Sequence, residues 1–141
     1  MKKAILIIGS PASGKTIIAK LMANVFRTVI VSAIEINHRR KREKYFFNQC
    51  DKDTQLIVVD GIKHQVHLTY FFTDISRGVI VVRRLEEPFE IQPGFIFISS
   101  SIPPETISDD ASFTRRFKIY NMDHPGMSLG QLLTELNNHF A

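Results

Sequence analysis

The sequence contains no tryptophan and a single cysteine, Cys50. One thiol excludes both an intramolecular disulfide and a cysteine-cluster metal site, which favours a reducing, cytoplasmic compartment. No apolar run approaches the roughly 18 residues of a membrane-spanning helix, so we expect no membrane segment. The opening MKKAILIIG resembles a secretory signal, with two lysines before an apolar run. Because it has no small-residue cleavage site and leads directly into a glycine-containing loop, we expect a first strand instead.

The chain has 141 residues, of which 44% are hydrophobic, and this predicts one compact domain over residues 1–141. Its formal net charge is +4, and the positive charge is clustered: residues 38–44, HRRKREK, include five lysines or arginines. Such a segment either contacts the phosphates of a nucleic acid or an acidic partner, or is the solvated face of a helix. The sequence leaves both interpretations open.

The segment GSPASGKT, residues 9–16, has the pattern of a phosphate-binding loop, G-x-x-x-x-G-K-[S/T]. Its glycines let the backbone wrap closely enough for N–H groups to point at phosphates. Lys15 is placed to reach the β- and γ-phosphates of a nucleotide, and the Thr16 hydroxyl is placed to ligate Mg²⁺. The residues expected to bind ATP–Mg²⁺ are Gly9, Ser10, Pro11, Ala12, Ser13, Gly14, Lys15 and Thr16.

The sequence on both sides of this loop supports the same interpretation. The apolar run before it predicts a buried parallel strand over residues 4–8. Apolar residues at helical spacing after it predict a helix over residues 14–26, so that bound phosphates would meet a helix N-terminus.

A second nucleotide motif is the apolar run QLIVVDG, in which Asp60 is followed by Gly61. A buried strand that ends in a carboxylate can present it to magnesium from the far side of a phosphate loop, so Asp60 is a candidate metal ligand.

His64 and His67 follow on a predicted helix over residues 62–72. No third ligand accompanies them, and we expect partly exposed histidines rather than a metal site.

The remaining pattern predicts alternating strands and helices. Strands are expected over residues 28–32, 95–99 and 117–121, and a β-hairpin with arms at 79–84 and 89–92. Helices are expected over residues 37–48 and after Ser128, which can cap the closing helix. Four leucines of that helix form a core-facing stripe: Leu129, Leu132, Leu133 and Leu136. The alternation argues for a parallel α/β sheet with right-handed crossovers.

The order of these features resembles that of AAA+ ATPases and, within that clan, of superfamily 3 helicases. The matching segments are GSPASGKT, LIVVD, GVIVVRRLEEPFEI, FIFISSS and SFTRRF, which lie within residues 4–121. The resemblance implies a three-layer P-loop NTPase sheet, mostly parallel, in the order 5-1-4-3-2 with a β-hairpin insertion before strand 4. It also implies assembly into a homo-oligomer.

Two departures from the family limit this inference. Gly61 follows Asp60 where the family usually has a second, water-activating carboxylate. After Asn121 too few residues remain for the small helical lid of those ATPases, so we expect a domain without a full lid.

The resemblance further implies roles for single residues. Ser101, with Ser100 beside it, matches the polar sensor that faces the γ-phosphate; the alternative is a serine-rich turn. Arg116 resembles the arginine finger that one subunit inserts beside the γ-phosphate of its neighbour. The alternative for Arg116 is a surface arginine bonded to the Asp109/Asp110 turn.

Arg83 and Arg84 lie on the hairpin with which superfamily 3 relatives grip single-stranded DNA. They are equally consistent with a charged edge strand that prevents aggregation. Together with the basic segment, the candidate contacts to single-stranded DNA are Arg39, Arg40, Lys41, Arg42, Arg83 and Arg84.

Glu35 is a candidate general base because it follows the predicted second strand, which should lie beside the Asp60 strand. The alternative is an ordinary exposed loop glutamate. The candidate catalytic residues are therefore Lys15, Glu35, Ser101 and Arg116.

Taken together, these features predict ATP–Mg²⁺ binding and slow ATP hydrolysis, with a role in DNA replication suggested by the resemblance. Two alternatives stay open. One is a small nucleotide or metabolite kinase, in which Arg39, Arg40 and Arg42 would form a lid over the phosphates. The other is a nucleotide-binding module without hydrolysis.

Overall fold

The computed structural model describes residues 3–10, 15–63, 66–83, 87–99, 111–123 and 127–141. Numbered along the chain, the strands are β1 Ala4–Ile8, β2 Thr28–Ser32, β3 Leu56–Ile62, β4 Ile80–Val82, β5 Phe89–Ile91, β6 Gly94–Ser99 and β7 Phe117–Asn121. Five strands form a parallel sheet in the order β2-β3-β6-β1-β7. The short β4 and β5 pair separately as an antiparallel hairpin. The α/β class, the mostly parallel sheet and the hairpin are thereby confirmed.

Helices of unequal length connect these strands. They are α1 Lys15–Met22, α2 Ala33–Ile36, α3 Arg39–Lys41, α4 Val66–Thr69, α5 Phe72–Arg77, α6 Ala111–Arg116 and α7 Leu129–Phe140. Helix α3 continues directly into a π-helical turn, Arg42–Phe46, and a 3₁₀ turn, Phe47–Gln49. In the described part of the chain, no helix has the length and apolar character needed to cross a lipid bilayer.

The sheet is covered on both faces, and the two coverings differ in composition. Alternate residues of a strand point to opposite faces, so Ile5 and Ile7 pack on one side while Leu6 packs on the other. The first side, here called the aliphatic face, is completed by α1 and α7, which contribute Ile18, Ala19, Met22, Leu132 and Leu136. The second side, here called the aromatic face, buries Phe46, Phe47, Phe71, Phe95, Phe97 and Phe117. Burial on both faces explains why every residue of β1 is apolar.

Helix α7 shows the predicted cap and core-facing stripe. The Ser128 Oγ accepts a hydrogen bond from the Gln131 backbone N–H at 3.1 Å, and Gln131 Oε1 accepts one from the Ser128 N–H at 2.8 Å. This reciprocal arrangement satisfies two N–H groups at the helix N-terminus. Leu132 and Leu136 are fully buried, and Leu129 and Leu133 are partly buried against the same face.

The helix predicted over residues 62–72 is wrong at both ends. Strand β3 continues through Ile62 because it contains a bulge: Val59 pairs with Phe97 and Ile62 with Ser99, so the β3 segment is one residue longer than its partner. Gly61 sits in the bulge with a φ of +79°, a conformation that favours glycine. Helices α4 and α5 then follow, separated at Phe71, whose ring enters the core.

Other predicted boundaries also shift. Helix α1 ends at Met22 rather than at residue 26, and the helix predicted over 37–48 is present as α3 and its two irregular turns. His67 is buried rather than partly exposed, and its Nδ1 accepts a hydrogen bond from the Lys63 N–H at 3.1 Å. This bond gives the buried Nδ1 a hydrogen-bond partner. His64 lies outside the described residues.

Candidate functional site

The phosphate-loop sequence lies at the carboxyl edge of the sheet. Gly9 and Ser10 directly follow β1, and the Gly9 N–H donates to the Ser99 carbonyl at the end of β6 at 3.2 Å. Helix α1 begins at Lys15, and Thr16 is exposed in its first turn. The intervening Pro11, Ala12, Ser13 and Gly14 lie outside the described residues. The loop therefore starts beside β6 and ends at a helix N-terminus, where backbone N–H groups favour anions.

Asp123 holds the start of the loop, although no sequence motif indicated it as a site residue. Its Oδ2 accepts a hydrogen bond from the Ser10 N–H at 2.8 Å, and its Oδ1 accepts one from the Ser10 hydroxyl at 2.9 Å. Asp123 is itself positioned by its own N–H, which donates to Asn121 Oδ1 at 3.0 Å. The sheet order could have identified Asp123. Strand β7 lies parallel to β1, so a residue just after β7 lies near the loop that follows β1.

Asp60 lies near the carboxyl end of β3 and is half-buried. Its Oδ1 accepts a hydrogen bond from the Gly61 N–H at 2.7 Å, a local bond that follows from the bulge. The sheet register places Ser32 of β2 opposite Asp60. The Asp60 carboxylate is therefore at the same edge of the sheet as the start of the phosphate loop, with β6 between them.

Glu35 is close to Asp60, as its position after β2 predicts. It is half-buried in α2, and its Oε2 accepts a hydrogen bond from the Ser32 N–H at 3.3 Å. Asp60 and Glu35 line one open groove of about 400 Å³, together with Tyr45 and Gln49. Two carboxylates in one groove can ligate a cation or accept a proton from water or a hydroxyl group.

A magnesium site here would need oxygen ligands from outside the protein. Among the described residues, no group of three or more histidine, cysteine, aspartate and glutamate side chains is arranged to hold a metal ion. Mg²⁺ is usually bound through one or two carboxylates, with substrate phosphates and waters filling its other positions. Asp60 supplies one such carboxylate, and the exposed Thr16 hydroxyl in the first turn of α1 is a second oxygen donor at the carboxyl edge of the sheet.

Arg116 is packed against its own chain. Its Nε donates to the Ser76 hydroxyl at 2.9 Å and to the Phe72 carbonyl at 3.3 Å. The guanidinium carbon also lies 4.8 Å from the centroid of the Phe72 ring. These contacts attach Arg116, at the end of α6, to helix α5. The proposed sensor residues Ser100 and Ser101, and the alternative partners Asp109 and Asp110, lie outside the described residues.

The basic residues fall into two groups. Arg39, Arg40 and Lys41 are exposed on α3, and Arg83 is exposed just after β4, whereas Arg84 lies outside the described residues. Arg42 is instead half-buried against neighbouring elements.

A larger cavity, of about 600 Å³, lies at the opposite edge of the sheet, among residues such as Lys3, Thr54 and Gly94. None of the predicted site residues lines it. Its volume alone therefore does not indicate a nucleotide site, and the carboxyl edge remains the candidate site on chemical grounds.

No known family model and no curated protein matches this sequence. Solved structures that match the fold include the A-form apo structure of the NrS-1 C-terminal region, with a TM-score of 0.60 and 17% sequence identity. The match covers 98% of this chain but 34% of that chain, so this chain spans about a third of its length. At this identity the likeness shows a shared fold alone: the protein is folded like part of the NrS-1 C-terminal region.

Proposed function

We propose that this protein binds ATP–Mg²⁺ through residues 9–16 and hydrolyses ATP slowly, as a minimal P-loop NTPase of the AAA+ or superfamily 3 type. One observation carries the proposal: GSPASGKT directly follows a fully buried parallel strand, and its last two residues begin α1. Strand, loop and helix in that order are the context that gives the motif its phosphate-binding geometry.

The strand order supports the same proposal. With the five strands of the main sheet counted in chain order, β7-β1-β6-β3-β2 reads 5-1-4-3-2, the order implied by the AAA+ resemblance. In such sheets ligands bind at the carboxyl ends of the strands. That edge carries the start of the phosphate loop and both Asp60 and Glu35.

In this proposal each site residue has a separate role. Lys15 neutralises the β- and γ-phosphates, and Thr16 and Asp60 ligate Mg²⁺, which offsets the charge that develops during phosphoryl transfer. Glu35 accepts the proton of the attacking water, a role that Gly61 cannot fill because it has no side chain. Ser101 would orient that water, and Arg116 would act only in an assembly and after leaving its contacts with α5.

The test of nucleotide binding is Lys15→Ala, measured by isothermal titration with ATP and Mg²⁺. We expect binding to be abolished, because the cation that faces the phosphates is removed. Lys20→Ala is the matched control, since Lys20 is an exposed lysine of the same helix. Equal affinity of the parent and the Lys15 variant would contradict the proposal.

The test of hydrolysis is Glu35→Gln, which keeps an oxygen able to accept the Ser32 hydrogen bond while removing the base. General-base assistance contributes a factor of about 10² to 10⁴, so phosphate release should fall at least about tenfold with ATP affinity nearly unchanged. A variant that hydrolyses ATP at the parent rate would show that Glu35 is not the base. A parent protein that binds ATP without turnover would favour the binding module instead.

The groove beside Asp60 favours one alternative, a small-molecule kinase. Its volume of about 400 Å³ is in the range of small-ligand sites, and Glu35 could deprotonate an acceptor hydroxyl as readily as water. Phosphate release and phosphate transfer to a panel of nucleosides distinguish the two. Transfer that exceeds release would assign the protein as a kinase.

A further inference from the structure

The basic segment forms an exposed, positively charged surface. Arg39, Arg40 and Lys41 on α3 and Lys44 on the π-helical turn are all exposed. Among the described side chains, no carboxylate forms a salt bridge with any of these four groups. Unneutralised cations at this density attract a polyanion, and the attraction weakens as salt is added.

Arg42 is not part of this exposed surface, because its side chain contacts neighbouring elements of the fold. Its Nε donates to the Ile36 carbonyl at 2.7 Å, and its guanidinium carbon lies 4.1 Å from the centroid of the Tyr70 ring. The first contact ties the segment to the end of α2, and the second ties it to the junction of α4 and α5. These two contacts hold the helical segment that carries the four exposed cations. Holding the segment in place lowers the entropic cost of binding a ligand.

An exposed aromatic ring adjoins these cations. The consecutive Phe46 and Phe47 both face the core, which leaves Tyr45 at the surface with 38% of its area exposed. Among the described phenylalanine and tyrosine side chains, Tyr45 is the most exposed. The Lys44 ammonium lies 5.1 Å from its ring centroid, and the ring lines the groove that contains Asp60.

From this arrangement we propose that the surface of Arg39, Arg40, Lys41, Lys44 and Tyr45 binds single-stranded nucleic acid. The four cations contact successive backbone phosphates, and an unpaired base stacks on the Tyr45 ring. Aromatic rings beside cations suit a single strand, because its bases expose faces that a duplex buries in its own stack. The hairpin arginine Arg83 is not needed for this interaction.

This site extends the proposed function without depending on it. A nucleic-acid strand bound at Tyr45 would lie beside the groove of Asp60 and Glu35, next to the proposed nucleotide site. Binding of nucleic acid can nevertheless be measured without ATP. Its failure would therefore leave the nucleotide proposal intact, and loss of ATP binding would leave this one intact.

The experiment is fluorescence anisotropy with a labelled oligothymidylate of about 12 nucleotides, within the range bound by single-strand-binding domains. Four phosphate contacts predict a log–log salt slope near −3, since each contributes about 0.7 for single strands. Arg40→Ala should reduce the slope by about 0.7. Tyr45→Ala should weaken binding about tenfold at an unchanged slope, and Tyr45→Phe should bind like the parent.

Lys118→Ala is the matched control, because Lys118 is an exposed lysine on β7, at the other edge of the sheet from β2. It should leave strand binding unchanged. The proposal would be overturned by a parent that does not bind at low salt, or by affinities insensitive to Arg40 and Tyr45. Equal binding to duplex DNA or to anionic phospholipid vesicles would also overturn it, because neither offers an unpaired base.

Discussion

The two faces of the sheet bury similar strands under very different helices. On the aliphatic face, α1 and α7 have eight and twelve residues, and their buried side chains are isoleucine, alanine, methionine and leucine. On the aromatic face, α2, α3, α4 and α5 have three to six residues each, and α3 continues into a π-helical and a 3₁₀ turn. There the buried phenylalanine rings pack together with isoleucine, valine and leucine side chains.

The difference shows two ways to cover a sheet. A long regular helix distributes its contacts over many small side chains and forms most of its backbone hydrogen bonds within itself. A short helix cannot do so, because helix nucleation is costly and few intrahelical bonds repay it. Large rings compensate: Phe71 packs with Phe46 at 6.0 Å between centroids and with Phe95 and Phe97 at 5.4 Å each. The segment of α3 and its two turns also carries the basic surface and contributes Tyr45 and Gln49 to the groove beside Asp60.

Phe71→Ala should have the largest effect on stability. Phe71 is fully buried between helices that cannot easily close the resulting cavity, so we expect a loss of about 3–5 kcal/mol in the free energy of unfolding. Leu132→Ala, at an equally buried position of the aliphatic face, should cost about 2–3 kcal/mol. Urea denaturation of both variants measures the difference. An equal or larger loss of stability for Leu132→Ala would contradict the greater sensitivity expected of the aromatic face.

Ser128→Ala, which changes the N-terminal cap of α7 on the aliphatic face, should lower the stability by a smaller amount. It removes the oxygen that accepts the Gln131 N–H, and such a cap contributes about 1 kcal/mol. Ser128→Asp, which restores an acceptor at the same position, should recover most of the loss in thermal unfolding. Stability unchanged by Ser128→Ala would show that α7 is held by packing alone.

Asp74→Asn should have the smallest effect, and the size of that effect should depend on pH. Burial against the aromatic face raises the pKa of the Asp74 carboxyl above its ordinary value, although Arg77 opposes the shift. The folded protein then binds this proton more tightly than the unfolded chain, so the parent is stabilised as the pH falls through the folded-state pKa. The variant should therefore be slightly more stable than the parent near pH 7, with the advantage fading towards about pH 4.

The control for that pH dependence is Asp53→Asn, because Asp53 is exposed. Urea midpoints measured at several pH values should separate the two variants. If the Asp74 variant followed the parent at every pH, burial of that carboxylate would have no energetic consequence.

The sequence predicted the sheet more closely than the helices that cover it. The bounds of β1, β2 and β7 agree with the predicted residues, because short apolar or β-branched runs ended by polar residues are a local pattern. The Ser128 cap and the leucine stripe of α7 are equally local. The helix predicted over residues 62–72 is wrong because the bulge at Gly61 and the burial of Phe71 depend on partners elsewhere in the chain.

The candidate site divides in the same way. The phosphate-loop motif, the Asp60 strand and the position of Glu35 after β2 could be predicted without the structure, since each follows from the order of residues along one segment. Only the tertiary structure placed Asp123 on Ser10, Arg116 on α5 and Arg42 on Tyr70. These contacts join segments far apart in the chain, so their partners are selected by sheet order and packing, which a local pattern does not contain.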